Sequence, residues 1–546
     1  MKKRFLSVLL SVAMVTGLIA GCGSSAGQAE TSSGDGSAVL GESKTDGEKT
    51  KLTALFCAHP LTADITTFKW LQEFEDAAGV DIEWEVIYSD WDQTKPTRFA
   101  SGDIPDLLFN ATNDADYITY NGLFEDLTPY ISAEKTPNIQ AMFDEEPDTL
   151  VLAKTLEGKL FGLPKFQGKW PGTNGVLFIN KNWLDKLGLK APTTFTELEQ
   201  VLLAFKDGDP NGNGIADEVP LDFNGWFGSA YSVSNLIGGL GIQLTNWGHD
   251  GYFAEGGQIK NFAVDERYKK LMKYLAKLYS EGLINENAIT NDYSMFQSLS
   301  RGNENGEALV GVVYGWEETD KFGNNLADQY VALSPLSYDL DGESYDARWT
   351  YDYSGLNMST NRACVSAKCK DKEAALRFLD QFYTQSGSVQ VLFGGISDGN
   401  VSETGDNAYK VNDPQDPSVD PGTWKWTYSF ADNGPMYIRR ATTIQMTQDM
   451  DNALREREAY DSTLAKVSDD DYYPQMFMKY TEDEQNEMAV IQANVTNITD
   501  NQWGLWLVGD EDVDATWDAY VANVEAAGLP RLLEIRQAAF DKYRGK

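Results

Sequence analysis

The strongest constraint on the fold is an alternation of short apolar strands with amphipathic helices after residue 50. Residues 52–57 form an apolar run, and the alternation of Ile82, Trp84 and Val86 predicts a second strand. Residues 107–109 predict a third, fully buried strand. A helical face lies between the first two strands and consists of Phe68, Leu71, Phe74 and Ala77. This order predicts an α/β fold with doubly wound sheets.

Composition excludes several classes of protein. The chain has 546 residues, of which 42% are hydrophobic, enough for two or three domains with large cores. Its net charge of −38 would repel nucleic acid, so we expect no nucleic-acid partner. Aromatic residues make up 12% of the chain, which argues against disorder. Two His and four Cys provide few zinc ligands, so a bound metal would need oxygen ligands.

The N-terminus has the pattern of a secretory signal. Three basic residues precede an apolar run over residues 5–19, which is too short to span a membrane comfortably. We predict that residues 1–21 form a signal peptide. The ending Ala20-Gly21-Cys22 resembles the lipobox of bacterial lipoproteins, which implies acylation of Cys22. An ordinary signal peptide with an incidental cysteine is the alternative.

Residues 22–50 are rich in Gly, Ser, Glu and Asp and have almost no large apolar side chains. Such a segment cannot bury enough surface to fold, so it is predicted to be a flexible tether. No second long apolar run follows it. We therefore expect an extracytoplasmic protein that is attached to the bacterial cell membrane only through the lipid on Cys22.

A loop over residues 207–218 has the composition of a calcium site. Oxygen-bearing side chains alternate along it, and glycines stand where the chain must turn sharply. The candidate ligands are Asp209, Asn211, Asn213, the Ile215 carbonyl, Asp217 and Glu218. With Asp209 as position 1, an EF-hand would place Glu at position 12, where this chain has Pro220. The loop is therefore a shortened EF-hand-like loop that favours structural Ca²⁺, and an ion-free Asx-turn loop remains the alternative.

Five segments together resemble a known family. They cover residues 100–106, 122–129, 158–164, 177–194 and 374–387. The first contains Ser-Gly-Asp-Ile-Pro-Asp, and the third reads Gly-Lys-Leu-Phe-Gly-Leu-Pro. In this order they are similar to the extracellular solute-binding proteins that serve ABC sugar importers. The extra length and the Asp/Asn loop resemble the branch that contains calcium-binding alginate-oligosaccharide receptors.

This resemblance implies a two-lobed, type II periplasmic-binding-protein-like fold with hinge-linked sheets. Family topology implies that residues 51–165 and about 357–400 form the first lobe. Residues 166–356 and about 401–546 are then expected to form the second lobe. The ligand is expected in the crevice outside the strand ends, between the lobes.

Sugars present apolar ring faces and many hydroxyls, so their sites combine aromatic platforms with carboxylate, amide and guanidinium groups. Segments that follow the predicted strands carry this mixture. The candidate ligand-binding residues are Trp91, Asp92, Asn110, Asn113, Asp114, Trp226, Trp316, Glu317, Trp349, Trp424 and Trp426. In maltose-type relatives, the loops that correspond to residues 110–114 and 316–317 carry ligand contacts. Trp424 and Trp426 alternate, which predicts one exposed strand face.

The resemblance implies a monomeric receptor that captures an oligosaccharide and presents it to an ABC permease, with no catalytic residues. One alternative is a secreted glycoside hydrolase, because such enzymes also combine Trp with paired carboxylates. Another is a binding protein for a peptide or another polar nutrient. The spacing of Cys364 and Cys369 leaves open whether these two residues form a disulfide.

Overall fold

The computed structural model describes residues 49–169, 171–173, 175–226, 229, 231–245, 251–351, 358–416, 419 and 421–545. The predicted signal peptide, Cys22 and all but the last two residues of the predicted tether lie outside this part of the chain. Thr50, the last residue assigned to the tether, is the first residue of a strand.

The described strands occur throughout the chain in the following order. They are β1 Thr50–Cys57, β2 Val80–Ile87, β3 Leu107–Phe109, β4 Gly162–Gln167, β5 Val176–Asn180, β6 Val219–Asp222, β7 Tyr252–Glu255, β8 Gln258–Asn261, β9 Val310–Gly315, β10 Tyr330–Ala332, β11 Met358–Val365, β12 Val401–Gly405, β13 Ala408–Val411, β14 Tyr437–Ile438 and β15 Thr443–Gln445.

The α-helices are α1 Lys69–Ala78, α2 Trp91–Ser101, α3 Asp114–Thr119, α4 Pro137–Glu145, α5 Pro147–Ala153, α6 Lys181–Leu187, α7 Phe195–Asp207, α8 Glu266–Ser280, α9 Tyr293–Ser300, α10 Glu318–Leu326, α11 Lys372–Gln381, α12 Gln385–Phe393, α13 Pro421–Tyr428, α14 Gln448–Arg457, α15 Asp461–Leu464, α16 Glu482–Val508, α17 Val513–Ala526 and α18 Leu529–Tyr543. Short 3-10 helices occupy Ile65–Thr67, Thr128–Tyr130, Val233–Leu240, Phe262–Val264, Ala327–Gln329, Ala431–Asn433, Glu458–Tyr460 and Gln475–Phe477.

The largest sheet has six strands in the order β14-β4-β11-β3-β1-β2. Strands β2, β1 and β3 are parallel, whereas β11 runs antiparallel to both β3 and β4. All three residues of β3 are buried, as expected for a strand covered on both faces. The strands predicted at residues 52–57, at Ile82, Trp84 and Val86, and at residues 107–109 all belong to this sheet, and the second extends over Val80–Ile87.

A second sheet has four strands in the order β10-β5-β9-β6. Its two central strands, β5 and β9, are antiparallel and completely buried. A three-stranded sheet of β12, β13 and β15 and a hairpin of β7 and β8 complete the described sheets. Strands and helices are therefore mixed, and the predicted α/β class is confirmed.

Helix α1 shows how the sequence pattern produces an element of the first sheet. Its buried residues are Trp70, Leu71, Phe74 and Ala78, whereas the predicted Ala77 is exposed. Gly79 ends the helix in the left-handed region at φ 68°, a conformation that glycine adopts without a steric penalty. The apolar face of α1 thus packs on the core beside β2.

One strand differs from the predicted division into lobes. β14 pairs in parallel with β4, so Tyr437–Ile438 belongs to the six-stranded sheet. The sequence had assigned about 401–546 to the second lobe. Pairing with a strand distant in sequence has no local signal, which explains the difference. The C-terminal helices α16 to α18 instead pack around α8 and β8.

Three cysteines lie in the described part of the chain. Cys57, Cys364 and Cys369 are all free thiols, so the possible disulfide between the last two is not formed. No helix among the described residues is long and apolar enough to cross a membrane.

Asp380 on α11 holds the N-terminus of α4 and provides a test of the packing of the first sheet. Its carboxylate is 4% exposed and accepts hydrogen bonds from the backbone N–H groups of Asn138 (3.0 Å) and Ile139 (2.9 Å). We predict that Asp380→Ala lowers the free energy of unfolding by about 2–3 kcal/mol, because two buried donors lose their acceptor. Urea denaturation measures this change. Asp144→Ala, at an exposed position on α4, should change it by less than about 0.5 kcal/mol, and equal effects would contradict the assignment.

Candidate functional site

Three polar residues lie at one edge of the six-stranded sheet. β1 and β3 are parallel and end side by side, with Phe56 opposite Phe109. His59 and Asn110 follow these two ends. β11 runs in the opposite direction, so Arg362, near its start, lies at the same edge. This is the edge at which α/β sheets usually bind ligands.

The corresponding edge of the four-stranded sheet lies at the end of β9. Gly315, its last residue, pairs with Val176, the first residue of β5, and Trp316 follows directly. Residues 168–175 connect the end of β4 to the start of β5. Because this crossing is only eight residues long, it limits how far apart the two sheet edges can lie, and we place the candidate site between them.

On the first edge, Asn110 and Arg362 form a fixed polar pair. Asn110 has a left-handed backbone with φ 51°, and its Nδ2 donates to the Cys57 carbonyl at 3.0 Å. Its Oδ1 accepts a hydrogen bond from Arg362 Nη1. Arg362 Nη2 also donates to Ser359 Oγ at 2.9 Å. Burial lowers the pKa of Arg362.

An aromatic platform lies beside this pair. The rings of His59 and Trp426 stack with centroids 4.4 Å apart, and the ammonium of Lys425 lies 5.1 Å from the Trp426 centroid. Burial, together with the charge of Lys425, lowers the pKa of His59, so the imidazole is neutral at pH 7. The Leu61 N–H donates to His59 Nδ1 at 3.2 Å, which leaves the Nε2–H of this tautomer as a donor.

A half-buried acid, Asp432, lies at the base of the platform. Asp432 accepts hydrogen bonds from Lys165 (2.9 Å), Gln167 (2.8 Å) and Lys425 (3.0 Å). Burial alone would raise the pKa of Asp432, but the two lysines hold it well below its usual range. Burial lowers the pKa of Lys165 to about 8, although Asp432 opposes this shift. The end of β4 is thereby tied to the helix that carries Trp426.

On the second edge, Trp316 carries a guanidinium on its ring. Arg457 Cζ lies 4.2 Å from the Trp316 ring centroid. Arg457 Nε also donates to the Thr173 carbonyl at 2.9 Å. Thr173 belongs to the crossing between the two sheets, so Arg457 ties α14 both to this crossing and to the end of β9.

Glu317 is buried and acts as a helix cap. It is 1% exposed, and its carboxylate accepts hydrogen bonds from the Asp320 N–H (2.9 Å) and from Asn452 Nδ2 (2.8 Å). It therefore begins α10 and fixes α14 against that helix. In this structure, Glu317 supports Trp316 and does not present its carboxylate to solvent.

Four other predicted residues lie at the N-terminal ends of helices α2 and α3. Trp91 begins α2, and its indole donates to the Ala111 carbonyl at 2.8 Å, whereas Asp92 is exposed in the same turn. Asn113 caps α3. Asp114 accepts a hydrogen bond from Asn361 Nδ2 at 2.8 Å, next to Arg362 in sequence. Asn113 and Asp114 lie three and four residues after the edge residue Asn110, whereas Trp91 packs against a separate apolar cluster.

Two predicted tryptophans are packing residues in this structure. Trp226 is 4% exposed and stacks on Trp503 with centroids 4.7 Å apart. Trp349 is 3% exposed and stacks on Tyr460 at 4.5 Å. Neither ring has a free face, so the structure does not support either residue as a ligand platform.

The predicted strand containing Trp424 and Trp426 is wrong, because both residues lie on α13. Residues two apart on a helix point in different directions. Trp426 stacks on His59, whereas Trp424 packs against Tyr428 with centroids 4.5 Å apart. Of these two tryptophans, Trp426 is the one next to the sheet edge.

The Asp/Asn loop lies between α7 and β6 and wraps its polar groups inward. Asp209 is left-handed at φ 44°, and its carboxylate accepts hydrogen bonds from the Gly212 and Gly214 N–H groups. Asn211 and Asn213 donate to Asp217 at 2.9 and 3.2 Å. Asparagine can exchange its donor nitrogen for its acceptor oxygen by rotating the amide. Both side chains can therefore offer oxygen to a cation at the same place.

The donor set of this loop fits a hard cation. Glu218 Oε1 is buried and has no hydrogen-bond partner within the described part of the chain, and burial raises the pKa of Glu218. Asn213 Nδ2 also contacts Glu307 Oε2 at 3.3 Å, which adds an acid that the sequence pattern did not include. The Ile215 side chain is exposed, and its backbone carbonyl is the remaining candidate ligand of the loop. The loop leads into Val219, the first residue of β6, which pairs with Val310 at the start of β9. Trp316 follows the other end of β9, so the loop is remote from the candidate site.

Sequence reasoning missed several groups at the sheet edges. Arg362 had a local signal, because an arginine inside a buried strand usually has a specific partner. Lys425 and Arg457 had no local sequence signal, because the aromatic rings and strands that they join are distant in sequence. His59 was visible after the first strand, but only the fold shows Trp426 beside it.

A family model described as bacterial extracellular solute-binding protein matches residues 60–390. The chain is 27% identical over 516 residues to the fructooligosaccharide ABC transporter substrate-binding protein FusA of Streptococcus pneumoniae, covering 91% of both chains. The structure of FusA in complex with kestose superposes with a TM-score of 0.73 and 25% identity, covering 91% of this chain and all of that one.

Two further solved structures are similar. An HMO-binding, ABC-transporter-associated solute-binding protein from Bifidobacterium longum infantis has a TM-score of 0.83 and 30% identity, covering 91% of this chain and 99% of the other. The alginate-binding protein AlgQ2 has a TM-score of 0.63 and 19% identity, covering 91% and 99% of the two chains, and shows the fold alone. These structural neighbours are two-lobed, so the predicted two-lobed fold is confirmed.

The ion pairs of Asp432 with Lys165 and Lys425 predict that the stability of the first edge depends on pH. Asp432→Asn should lower the free energy of unfolding at pH 7 by about 3 kcal/mol, because Lys165 loses its buried counter-charge. A depressed carboxyl pKa stabilises the fold above the ordinary Asp pKa and loses this effect in acid. The difference from wild type should therefore shrink as pH falls from 5 to 3, as measured by urea denaturation. Asp406→Asn, at an exposed turn, is the control, and a pH-independent difference would contradict the pairing.

Proposed function

Because the chain belongs to the family of bacterial extracellular solute-binding proteins, we propose that it captures an oligosaccharide between its two lobes and delivers it to an ABC transporter permease. The observation that carries this proposal is the presence of aromatic groups on both sheet edges. His59 and Trp426 stack on the first edge, and Trp316 lies at the second.

The chemistry of the two edges suits a sugar. Aromatic rings pack on the apolar faces of sugar rings, while fixed polar groups bind their hydroxyls. The His59 imidazole and the Asn110–Arg362 pair provide oriented donors on the first edge. The names of FusA and of the Bifidobacterium protein, each covering 91% of this chain, support an oligosaccharide as cargo.

Capture would proceed by closure of the lobes. A ligand that contacts both edges favours the closed state by its additional contacts there. The crossing over residues 168–175 is the natural place for the hinge, and Arg457 contacts both it and Trp316. No bond of the ligand needs to be made or broken, so the chain's residues act only by binding and orienting it.

The remaining parts of the proposal concern attachment and organisation. Acylation of Cys22 would anchor a monomer to the outer face of the cell membrane, with residues 22–49 as a tether. The first lobe would contain the six-stranded sheet and the second lobe the four-stranded sheet. Because Tyr437–Ile438 pairs with β4, the residues around this strand would also belong to the first lobe.

Calcium in the loop over residues 207–218 is also part of the proposal. Asp209, Asp217 and Glu218 would supply carboxylate oxygens, with amide oxygens from Asn211 and Asn213. The Ile215 carbonyl completes the predicted set. A bound ion would neutralise these acids and hold the loop between α7 and β6. Its role would be structural, because this loop lies away from the sheet edges.

Calorimetric titration with a panel of oligosaccharides tests the proposed function, with product analysis of the same samples. We expect saturable binding without shortened products, and Trp316→Ala should weaken the affinity at least about tenfold, or about 1.4 kcal/mol. Trp503→Ala is the control. It should lower the melting temperature by loss of core packing but leave the affinity unchanged. Released shorter sugars, or equal affinity of Trp316→Ala and wild type, would contradict the proposal.

Removal of calcium should destabilise the second lobe. A chelator is expected to lower the melting temperature by a few degrees, since an ion at about 100 times its Kd contributes about 2.7 kcal/mol. Asp217→Asn should abolish this sensitivity, whereas the exposed Glu304→Gln should retain it. Differential scanning calorimetry with chelator and with added Ca²⁺ measures both effects. A wild-type melting curve that is indifferent to both additions would contradict the calcium assignment.

A further inference from the structure

Three carboxyl groups meet directly behind the candidate site. Glu317 and Glu318 begin α10, Glu456 lies near the end of α14, and oxygens of all three lie within 4.8 Å of one another. Glu317 is 1% exposed and Glu456 is 6% exposed. Three acids this close and this poorly hydrated cannot all be ionised without additional positive charge or a proton.

The partners of the three groups show where a proton would reside. Both oxygens of Glu317 accept hydrogen bonds, from Asn452 and Thr319 on one and from Thr319 and Asp320 on the other. Glu317 therefore has the environment of an ionised carboxylate.

Glu318 has a charged partner for its carboxylate, whereas one oxygen of Glu456 lacks a partner in the part of the chain that the structure describes. Glu318 forms an ion pair with Arg455 at 2.9 Å. Glu456 Oε1 accepts the Glu318 N–H at 3.1 Å, but its Oε2 is buried and has no hydrogen-bond partner among the described residues. An Oε2–H group on Glu456 would face the neighbouring carboxylates as a donor. Glu456 is therefore the acid that gains most by carrying a proton.

Burial, with smaller contributions from the charges of Glu317 and Glu318, raises the pKa of Glu456 to about 8, although the Glu318 N–H and Arg457 oppose this shift. The groups that face it are the two acids on α10, Arg457 on its own helix and the Tyr460 hydroxyl in the following turn. From β10, the Tyr330 hydroxyl donates to the Val310 carbonyl at 2.7 Å and carries no charge.

The residue after Glu456 reaches the candidate site. Arg457 stacks on Trp316 at 4.2 Å and bonds the Thr173 carbonyl in the crossing. The contact between Glu456 and the first turn of α10 fixes the end of α14, and the position of that end sets where the guanidinium lies. A new charge at Glu456 would push this end away from Glu317 and Glu318.

We propose that protonated Glu456 is a positioning residue that holds α14 against the start of α10 and thereby keeps Arg457 on the Trp316 ring. Ionisation of Glu456 loosens this contact, displaces the guanidinium and weakens ligand capture. The second consequence rests on the proposed function, whereas the first concerns the ligand-free protein.

A pH titration of tryptophan fluorescence tests the first consequence without ligand. The signal assigned to Trp316 is the difference between the protein and its Trp316→Phe variant, since other tryptophans also emit. We expect this difference to change with a midpoint near pH 8. The change should be absent in Glu456→Gln, whose neutral amide imitates the protonated acid, and present in Glu458→Gln, an exposed neighbour.

Glu317→Gln provides a second variant. It removes a like charge beside Glu456 and should move the midpoint to lower pH by about one unit. A difference signal that is flat from pH 6 to 9.5, or a transition that survives in Glu456→Gln, would overturn the positioning role.

Calorimetric titration with kestose tests the second consequence. Wild type and Glu458→Gln should lose about three- to tenfold in affinity between pH 7 and 9, and Glu456→Gln less than twofold. Equal pH profiles of wild type and Glu456→Gln would overturn the link to capture. If wild type does not bind kestose at either pH, that result counts against the cargo proposed for the site, and the ligand-free titration decides the role of Glu456.

Discussion

The short crossing between β4 and β5 is the constraint on which the rest of the site depends. Eight residues, 168–175, carry the chain from one sheet to the other, a span of at most about 30 Å when fully extended. The ends of the two sheets must therefore lie near each other. Strand direction alone places Asn110 at one of these ends and Trp316 at the other.

The side chains around this crossing tie each edge to its support. Asp432 joins Lys165 at the end of β4 to Lys425 on α13, so the platform of Trp426 is attached to the crossing. On the other side, Arg457 bonds the crossing itself. Charged groups with fixed partners thus lie beside the aromatic rings of both edges, Lys425 beside Trp426 and Arg457 on Trp316. A hinge with supports on both sides can close without rebuilding either edge.

Much of the fold was predictable because its signals are local. The alternation at Ile82 and Trp84 and the buried run of residues 107–109 depend only on neighbours in sequence, and both became strands. The family resemblance added the two lobes. β14 was missed, since a two-residue strand beside β4 has no periodicity of its own.

The candidate site was less predictable because long-range packing decides the role of each aromatic residue. Trp226 and Trp316 both follow short apolar segments, yet Trp226 is covered by Trp503 from the C-terminal helices. The spacing of Trp424 and Trp426 is compatible with either a strand or a helix, and the structure has a helix. The Asp/Asn loop was more predictable, because its candidate ligands all lie within ten consecutive residues. Their closeness in sequence alone places them near one another.

In the proposed function, one unmodified oligosaccharide is held by both sheet edges at once. Small-angle X-ray scattering of the protein, with and without the tightest-binding sugar of the panel, measures the closure that this requires. We expect sugar to reduce the radius of gyration of the wild type, and this change should be lost in both Trp316→Ala and Trp426→Ala at saturating sugar. Tight binding with an unchanged radius of gyration, or compaction that persists in either variant, would contradict it.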